Sequence, residues 1–252
     1  MILSFSTCVE VEAHLRSGSR TIVIPIGSTE QHGPTGLLGT DWMCPEIIAA
    51  RAETQSNQVL IGPTFNVGMA QHHLAFPGTI SLRPSTMMLV LKDWISSFCA
   101  QGFQTIYFLN GHGGNIPTIE AAFSEFYAEA SYEKRRSSLI LILRNWWQLA
   151  GVEELARRQF PHGHGSHAEP SEISVTQAAY PASIKTAHCH PPIAPSGPVR
   201  DALDFKARHP DGRMGSDPLQ ADPRHGEDLI ALAAQGLLAE LAALEAGHDQ
   251  LG

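Results

Sequence analysis

Glu30 and His32 are the first residues in this chain whose types and spacing could do chemistry. They stand two apart in Gly27-Ser-Thr-Glu-Gln-His-Gly-Pro34, directly after a β-branched run. If the backbone stays extended there, both side chains project from the same face, because side chains alternate across a strand. A carboxylate beside an imidazole can bind a divalent metal ion. This pair is therefore a candidate half of a metal site.

Asp41 and His112 could complete such a site. Asp41 falls at the start of a predicted helix, so it is either a metal ligand or a first-turn acid stabilised by the helix dipole. His112 lies in Asn110-Gly-His-Gly-Gly-Asn115 and is the only side chain of that turn able to bind a metal ion strongly. A glycine-rich turn before a helix could instead bind phosphate. The Gly-x-Gly-x-x-Gly spacing and the P-loop lysine of such sites are both absent.

A third segment, His162-Gly-His-Gly-Ser-His-Ala-Glu-Pro-Ser-Glu-Ile-Ser174, places His167 and Glu172 five residues apart. Glu172 falls at a predicted helix start, where an acid often serves only the dipole. His162 and His164 are expected to be exposed loop residues.

The connection over residues 69–79 contains two further histidines, His72 and His73. At least one of them is expected to line the site. As metal ligands both rank below His32 and His112.

These residues need elements that bring them together, and the hydrophobic patterns supply strands alternating with helices. Strands are predicted over 21–26, 58–62, 103–109 and 138–144. Helices are predicted over 45–52, 85–100, 117–131 and 226–246. One further helix is predicted to end at about 159, and another to begin at about 170. The proline-rich stretch 180–225 is expected to be a surface loop with little regular structure. The alternation predicts an α/β fold with a mostly parallel sheet and helices on both faces, and in such sheets ligands bind beyond the carboxyl ends of the strands.

Composition bounds the class of protein. The 252 residues are ample for one domain, 1–252, and no linker divides them. A net charge of −8, from 17 Lys+Arg and 25 Asp+Glu, argues against nucleic acid or anionic membrane as a partner. Four scattered cysteines suggest neither a zinc ribbon nor a disulfide framework. The apolar runs are too short or too polar to span a bilayer, so a cytoplasmic protein is expected.

The motifs taken together resemble the creatininase (creatinine amidohydrolase) family. The resemblance is carried, in order, by Glu30-Gln-His-Gly33 with Asp41 downstream, Phe76-Pro-Gly-Thr-Ile-Ser-Leu82, Asn110-Gly-His-Gly-Gly-Asn115, and Ser166-His-Ala-x-x-x-Glu172. Order and spacing match over residues 20–180, and Asp211-Gly-Arg-Met-Gly215 and the terminal helix are also similar.

The resemblance implies a three-layer α/β sandwich, assembled as a homohexamer, with a site for one or two divalent metal ions. Glu30, Asp41 and His112 would hold one ion, and His32 with the shared Asp41 the second. His167 matches the family histidine that moves a proton to the leaving nitrogen.

Two departures place the chain in a Gly-Gly branch of the family rather than with creatininase itself. Creatininase has Tyr-Glu after the motif histidine, where this chain has Gly113-Gly114, so one carboxylate ligand of the second ion is missing. The tryptophan that closes over creatinine is replaced by Gly163. Gly-Gly forms occur among formylaminopyrimidine deformylases and the peptidases that mature mycofactocin.

Glu172 is the expected replacement for the missing carboxylate. Its competitor Glu169 precedes a proline and is expected to face solvent. The substrate is expected to contact His73, Gly113, Gly114 and Trp147.

The predicted reaction is hydrolysis of a C–N bond in a small cyclic amide, formamide or related substrate by metal-bound hydroxide, with His167 as general acid. The mixed nitrogen and oxygen ligands suit Zn, Mn or Fe(II). One alternative is a non-catalytic protein that binds a small metabolite, although binding alone would not need the full ligand set. The other is a metal-dependent phosphoesterase, against which an acidic pocket without an Arg/Lys clamp argues.

Overall fold

A three-stranded parallel sheet forms the centre of the computed structural model, which describes residues 1–248. The strands are β1 (Thr21–Ile26), β2 (Thr105–Asn110) and β3 (Ile140–Asn145). β2 lies between the other two, with Ile26 opposite Asn110 and Asn110 opposite Asn145. All three carboxyl ends therefore meet at one edge of the sheet.

The segment 58–62, predicted as a strand, only touches β1. Val23 donates its N–H to Leu60 and accepts one from Gly62, and the contact is recorded as an isolated bridge from Val23 to Ile61. Pro25 of β1 has no N–H to donate to the Gly62 carbonyl, so the ladder is interrupted until the Phe65 N–H donates to the Pro25 carbonyl. The strand predicted here is therefore wrong in kind, although the segment does lie against the sheet edge.

Helices cover both faces of the sheet. They are α1 (Cys8–Arg16), α2 (Thr40–Glu53), α3 (Pro84–Ala100), α4 (Ile116–Tyr132), α5 (Val152–Gln159), α6 (Pro170–Ala179), α7 (Ala202–Arg208) and α8 (Pro223–His248). Side chains of β1 and β2 alternate between two cores: Ile24 and Phe108 pack with α3 and α4, whereas Val23 and Tyr107 pack with α2, α5, α6 and α8. The three-layer α/β sandwich is confirmed.

Two helices lie outside the sequence-based predictions. α1 begins with a capping box in which Thr7 accepts from the Glu10 N–H and Glu10 accepts from Thr7, a short-range signal present in the sequence. α7, capped by Asp201, lies in the stretch expected to be irregular. That stretch also does not stay at the surface, because Phe205 and Arg213 are each 1% exposed.

α8 is a core helix. Its segment Pro223–Ala246 is long and apolar enough by composition to cross a membrane, which is weak evidence by itself. Leu229, Ala233 and Leu237 have no exposed surface and pack in the core formed with α2 and α6. The apolar face of α8 is thus buried against the other helices of this core.

Candidate metal centre

The carboxyl edge of the sheet gathers the predicted site residues. β1 leads into the loop that carries Glu30 and His32, and β2 leads into the turn that carries His112. Asp41 lies in the first turn of α2. Glu30, His32, Asp41 and His112 are all at most 5% exposed. Four polar side chains buried this deeply need partners or an ion to offset their desolvation.

Asp41 bridges two histidines. Its Oδ1 lies 3.0 Å from Nε2 of His32, and its Oδ2 lies 3.0 Å from Nδ1 of His112. A helix-cap role does not account for this, because the side chain points to the rings and makes no cap hydrogen bond. Asp41 is thus placed where it could bridge two ions.

Glu30 is the most isolated acid of the group. Oε2 lies 3.3 Å from Nε2 of His112, and Oε1 lies 3.1 Å from Nε2 of His73. Neither contact has hydrogen-bond geometry, so within residues 1–248 both buried oxygens lack a hydrogen-bond partner, as does Oδ2 of Asp41. Orphaned carboxylate oxygens that converge on imidazoles fit a divalent cation.

The ligand atoms form three compact sets, each within 4.8 Å. One contains Glu30, Asp41 and His112, and the second contains His32, Asp41 and Glu172. These are the two sets expected from the sequence. The third contains Glu30, His32 and His167, so the expected proton carrier also lies within reach of an ion.

Glu172 serves α6 and the cluster at the same time. Its Oε1 accepts the Glu169 N–H at 2.7 Å, which caps the helix, and lies 3.8 Å from Nε2 of His32. Glu169 does not face open solvent as expected: its side chain is 25% exposed and lines the same cavity. The capping box pulls Glu169 back over the helix start. Burial, followed by the charge of Glu172, raises the pKa of Glu169 well above its usual value.

Glu172→Gln is expected to lose one of two bound ions, whereas Glu169→Gln keeps both. Glutamine can still accept the capping N–H, so the helix should lose only a dipole interaction worth ~0.3–1 kcal/mol. Metal stoichiometry and thermal melting of the two variants, measured side by side, check this. Retention of both ions by Glu172→Gln, or loss of an ion in Glu169→Gln alone, contradicts the assignment.

The carboxylates hold the cluster histidines in their charged form. Burial by itself lowers the pKa of His32, but Asp41, Glu172 and Glu30 raise it to about 10. Burial likewise opposes charge on His112, and Glu30 and Asp41 raise its pKa to about 9. In turn, despite burial, the two rings hold the pKa of Asp41 well below its usual range. Without an ion, protons occupy the positions that a cation would take.

Metal binding is therefore expected to release protons and to strengthen as pH rises. Below pH 9 both His32 and His112 are protonated in the metal-free protein, and each must lose its proton to coordinate. Apparent affinity should rise about tenfold per pH unit for each displaced proton and level off once the rings titrate. Calorimetric Zn²⁺ titrations at pH 7.5 in buffers of different ionisation enthalpy measure the release. His32→Gln should release one proton fewer, and a pH-independent affinity would refute the expectation.

The segment after α7 forms hydrogen bonds with the backbone of His167. The His167 carbonyl oxygen accepts from the Met214 N–H at 3.3 Å and from the Ser216 hydroxyl at 2.6 Å. The ring stacks on His73, with centroids 4.3 Å apart. Burial, followed by the neighbouring His32 and His73 rings, lowers the pKa of His167 well below its usual value. A neutral imidazole poised beside a charged cluster can accept and return a proton.

A cavity of about 630 Å³ opens onto this cluster. Its walls include the residues expected to contact substrate, namely His73, Gly113, Gly114 and Trp147. His73 is 1% exposed and sits at the base of the cavity, in contact with Glu30. A Cβ on Gly114 would lie 2.4 Å from Nε2 of His112, so the ring occupies the space that a side chain would need.

The remaining loop histidines divide between cavity and surface. His72 and His164 line the cavity, and Nε2 of His164 lies 2.8 Å from the Ser171 hydroxyl. The expectation that His164 would be a free loop residue is therefore wrong, whereas His162 is exposed.

Sequence reasoning missed three residues that shape this site. Gln31 lies between two candidate ligands and contacts His73 and His167. Phe205 of α7 packs on His73 at 4.6 Å between ring centroids. Arg213 is buried and donates to the Pro191 and Pro192 carbonyls, which ties two loops together. Gln31 and Arg213 each carried a signal, because both lie inside motifs that carry the family resemblance.

A parallel α/β sheet with buried histidines and carboxylates at its carboxyl edge defines a metallohydrolase-like protein. The family described as "Creatininase: Creatinine amidohydrolase" matches residues 5–241, so the chain belongs to the creatininase family, whose members are metal-dependent amidohydrolases. The family resemblance inferred from the motifs is confirmed.

Curated relatives include enzymes with different named substrates. The mycofactocin precursor peptide peptidase of Mycolicibacterium smegmatis is 33% identical over 106 residues, 40% of this chain and 42% of that protein. The chain thus matches less than half of that relative's length. Creatinine amidohydrolase of Pseudomonas putida is 24% identical over 243 residues, 92% of each protein.

Solved structures share the fold. A creatininase variant of the Zn-Zn type has a TM-score of 0.83 and 22% identity, covering 95% of this chain and 96% of that one. An Mn creatininase has a TM-score of 0.78 at 22% identity, with coverage of 95% and 96%. At this identity the likeness establishes the fold alone.

Proposed function

We propose that this protein is a metal-dependent amidohydrolase that cleaves a C–N bond in a small amide substrate. The observation that carries the proposal is the pair of carboxylates, Glu30 and Asp41, buried among histidines at the floor of an open cavity with three oxygens lacking hydrogen bonds. Glu30, Asp41 and His112 would hold one ion, and His32, Asp41 and Glu172 a second. When bound, Zn, Mn or Fe(II) ions lower the pKa of water and polarise an amide carbonyl.

His167 moves the proton in this proposal. Its lowered pKa leaves the ring neutral at pH 7, so it can take a proton as the nucleophile is activated. The neighbouring charges that disfavour the imidazolium then favour release of that proton to the departing nitrogen. Gly113 and Gly114 leave backbone exposed beside His112, which gives the substrate carbonyl room to approach.

The size of the cavity favours a substrate larger than creatinine. A volume of about 630 Å³ lies within the usual range of about 300–1,000 Å³ for sites that enclose drug-sized molecules. Its wall includes the half-buried Trp147, which can pack on an apolar side chain. The name of the mycobacterial relative adds support for a peptide substrate. We therefore propose the amide bond of a short peptide as the preferred target, ahead of lactams and formamides.

The proposal is tested with protein loaded separately with Zn²⁺, Mn²⁺ or Fe²⁺. Short peptides, lactams, formamides, creatinine and an aryl phosphate are offered, and products are followed by mass spectrometry in ¹⁸O-water. Release of an amine, with ¹⁸O in the new carboxylate, is expected from peptides. The cavity also contains Arg157, which pairs with Glu153, and the exposed Arg200. Turnover of the phosphate ester alone would support a phosphoesterase, and tight binding without turnover would support a binding protein.

The homohexamer and the cytoplasmic location stay predictions. Light scattering on purified protein measures the first, and cell fractionation measures the second.

A further inference from the structure

The side-chain amide of Gln31 has an orientation fixed by two backbone groups. Oε1 accepts the Gly33 N–H at 2.9 Å, and Nε2 donates to the Gly212 carbonyl at 3.0 Å. An N–H can only donate and a carbonyl can only accept, so the amide oxygen and nitrogen cannot be exchanged. Gly212 has φ of +86°, and a Cβ there would lie 1.8 Å from the Gln31 oxygen. The glycine therefore permits this contact.

The amide nitrogen then has one hydrogen left for two histidine neighbours. Nδ1 of His73 lies 2.8 Å from Nε2 of Gln31, and Nε2 of His167 lies 2.9 Å from it. Nε2 of His167 also lies 2.8 Å from the backbone oxygen of Gln31, which can only accept. The assignment that makes the most hydrogen bonds places the His167 proton on Nε2, where it donates to this backbone oxygen, and it leaves the two donor nitrogens of His167 and Gln31 2.9 Å apart. The remaining amide hydrogen goes to Nδ1 of His73.

This assignment fixes which ring atoms face the acids. With Nδ1 of His73 accepting from Gln31, the ring proton of His73 is on Nε2, 3.1 Å from Oε1 of Glu30. With Nε2 of His167 protonated, its Nδ1 presents a lone pair 3.8 Å from the same carboxylate. Groups that orient a metal ligand in this way are typically worth 10–100-fold in metal affinity or activity.

We propose that Gln31 is a positioning residue that acts through His73 on Glu30. Its amide selects the tautomer of His73 that turns an N–H toward the carboxylate at 3.1 Å, an electrostatic attraction without hydrogen-bond geometry that favours the carboxylate position in which an ion could bind. This role depends on the proposed metal-dependent function, in which Glu30 is a ligand. The opposite tautomer would turn a lone pair toward the carboxylate and repel it.

Gln31→Glu tests the proposal, because a carboxylate at this place can only accept and so requires a proton on Nδ1 of His73. In metal-free protein with ¹⁵N-labelled histidine, the His73 signals, assigned by their loss in His73→Phe, should change from the Nε2–H to the Nδ1–H pattern. Zn²⁺ affinity should fall about 10–100-fold. The matched control is Gln159→Glu, since Gln159 donates only to Asp228 at the far end of α5. It should change neither quantity.

Gln31→Met provides a second variant if the glutamate disturbs folding, and it should give mixed His73 tautomers with weaker Zn²⁺ binding. In a His73→Phe background, either Gln31 substitution should cause no further loss of Zn²⁺ affinity, because the imidazole through which Gln31 acts is already absent. An unchanged His73 tautomer, or a changed tautomer with unchanged Zn²⁺ affinity, overturns the proposal. If the wild type binds no Zn²⁺, Mn²⁺ or Fe²⁺, the proposed function is refuted. If Gln31→Glu still changes the His73 tautomer in that case, the contact between Gln31 and His73 is supported on its own.

Discussion

Asp41→Asn is expected to remove both metal ions and to lower turnover by about three orders of magnitude or more. Asp41 lies 3.0 Å from both His32 and His112, and it belongs to both candidate ligand sets. Asparagine keeps the volume but loses the charge that holds two cations in a buried site. Metal catalysis typically supplies several kcal/mol, and each 1.36 kcal/mol is about tenfold in rate.

Elemental analysis and turnover of Asp41→Asn, with its thermal melting as the folding check, measure this effect. Glu10→Gln is the matched control, because it removes an exposed acid from the first turn of α1. It should lose a little stability, because it weakens the α1 capping box, and no metal. Wild-type metal content in Asp41→Asn would return Asp41 to the role of a helix-dipole acid.

His167→Ala is expected to lower turnover about 10²–10⁴-fold while leaving metal content nearly intact, the usual range for loss of a general acid or base. The ring is neutral, buried and within reach of the cluster. Met214 and Ser216 bind the backbone of His167, so removal of the ring should not displace the candidate metal ligands. A further sign is the loss of the pH dependence that a titrating histidine gives to turnover.

Metal content decides between the two roles that geometry allows for His167. It also belongs to a ligand set with Glu30 and His32, so loss of metal together with activity would make it a ligand. His162→Ala is the control, since His162 lies exposed in the same loop. Its turnover and metal content should both match those of the wild type.

Local sequence patterns were sufficient for most of the elements that position the site. β1, β2 and β3 were each predicted to within two residues at either end, because short runs of β-branched, aromatic and other apolar residues between polar or glycine-containing segments leave few alternatives. α4 and α6 were predicted to begin near Pro117 and Pro170, and α3 was predicted over 85–100, one residue short of its first residue, Pro84. The segment 58–62 has the same apolar signature, but Pro25 of β1 lacks the N–H that would continue the ladder, so only isolated bridges form.

The candidate ligands could be chosen from sequence for a similar reason. Glu30, His32 and His112 follow strands directly, and parallel strands bring their carboxyl ends to one edge whatever the details of packing. Asp41 was ambiguous in the sequence because a first-turn acid has a local role available. Only the position of α2, which places its first turn between His32 and His112, distinguishes the two.

By itself the sequence determined the α/β class, the order of the elements and the family, because these depend on periodicity and on motifs that are contiguous along the chain. The tertiary structure decided how residues far apart in the chain meet. Gln31 reaches Gly212, Phe205 of α7 packs on His73, and Glu169 turns into the cavity instead of solvent. Such contacts arise from how loops fold over the sheet edge. No local propensity encodes them, since each depends on a partner more than a hundred residues away or on the burial that the whole fold creates.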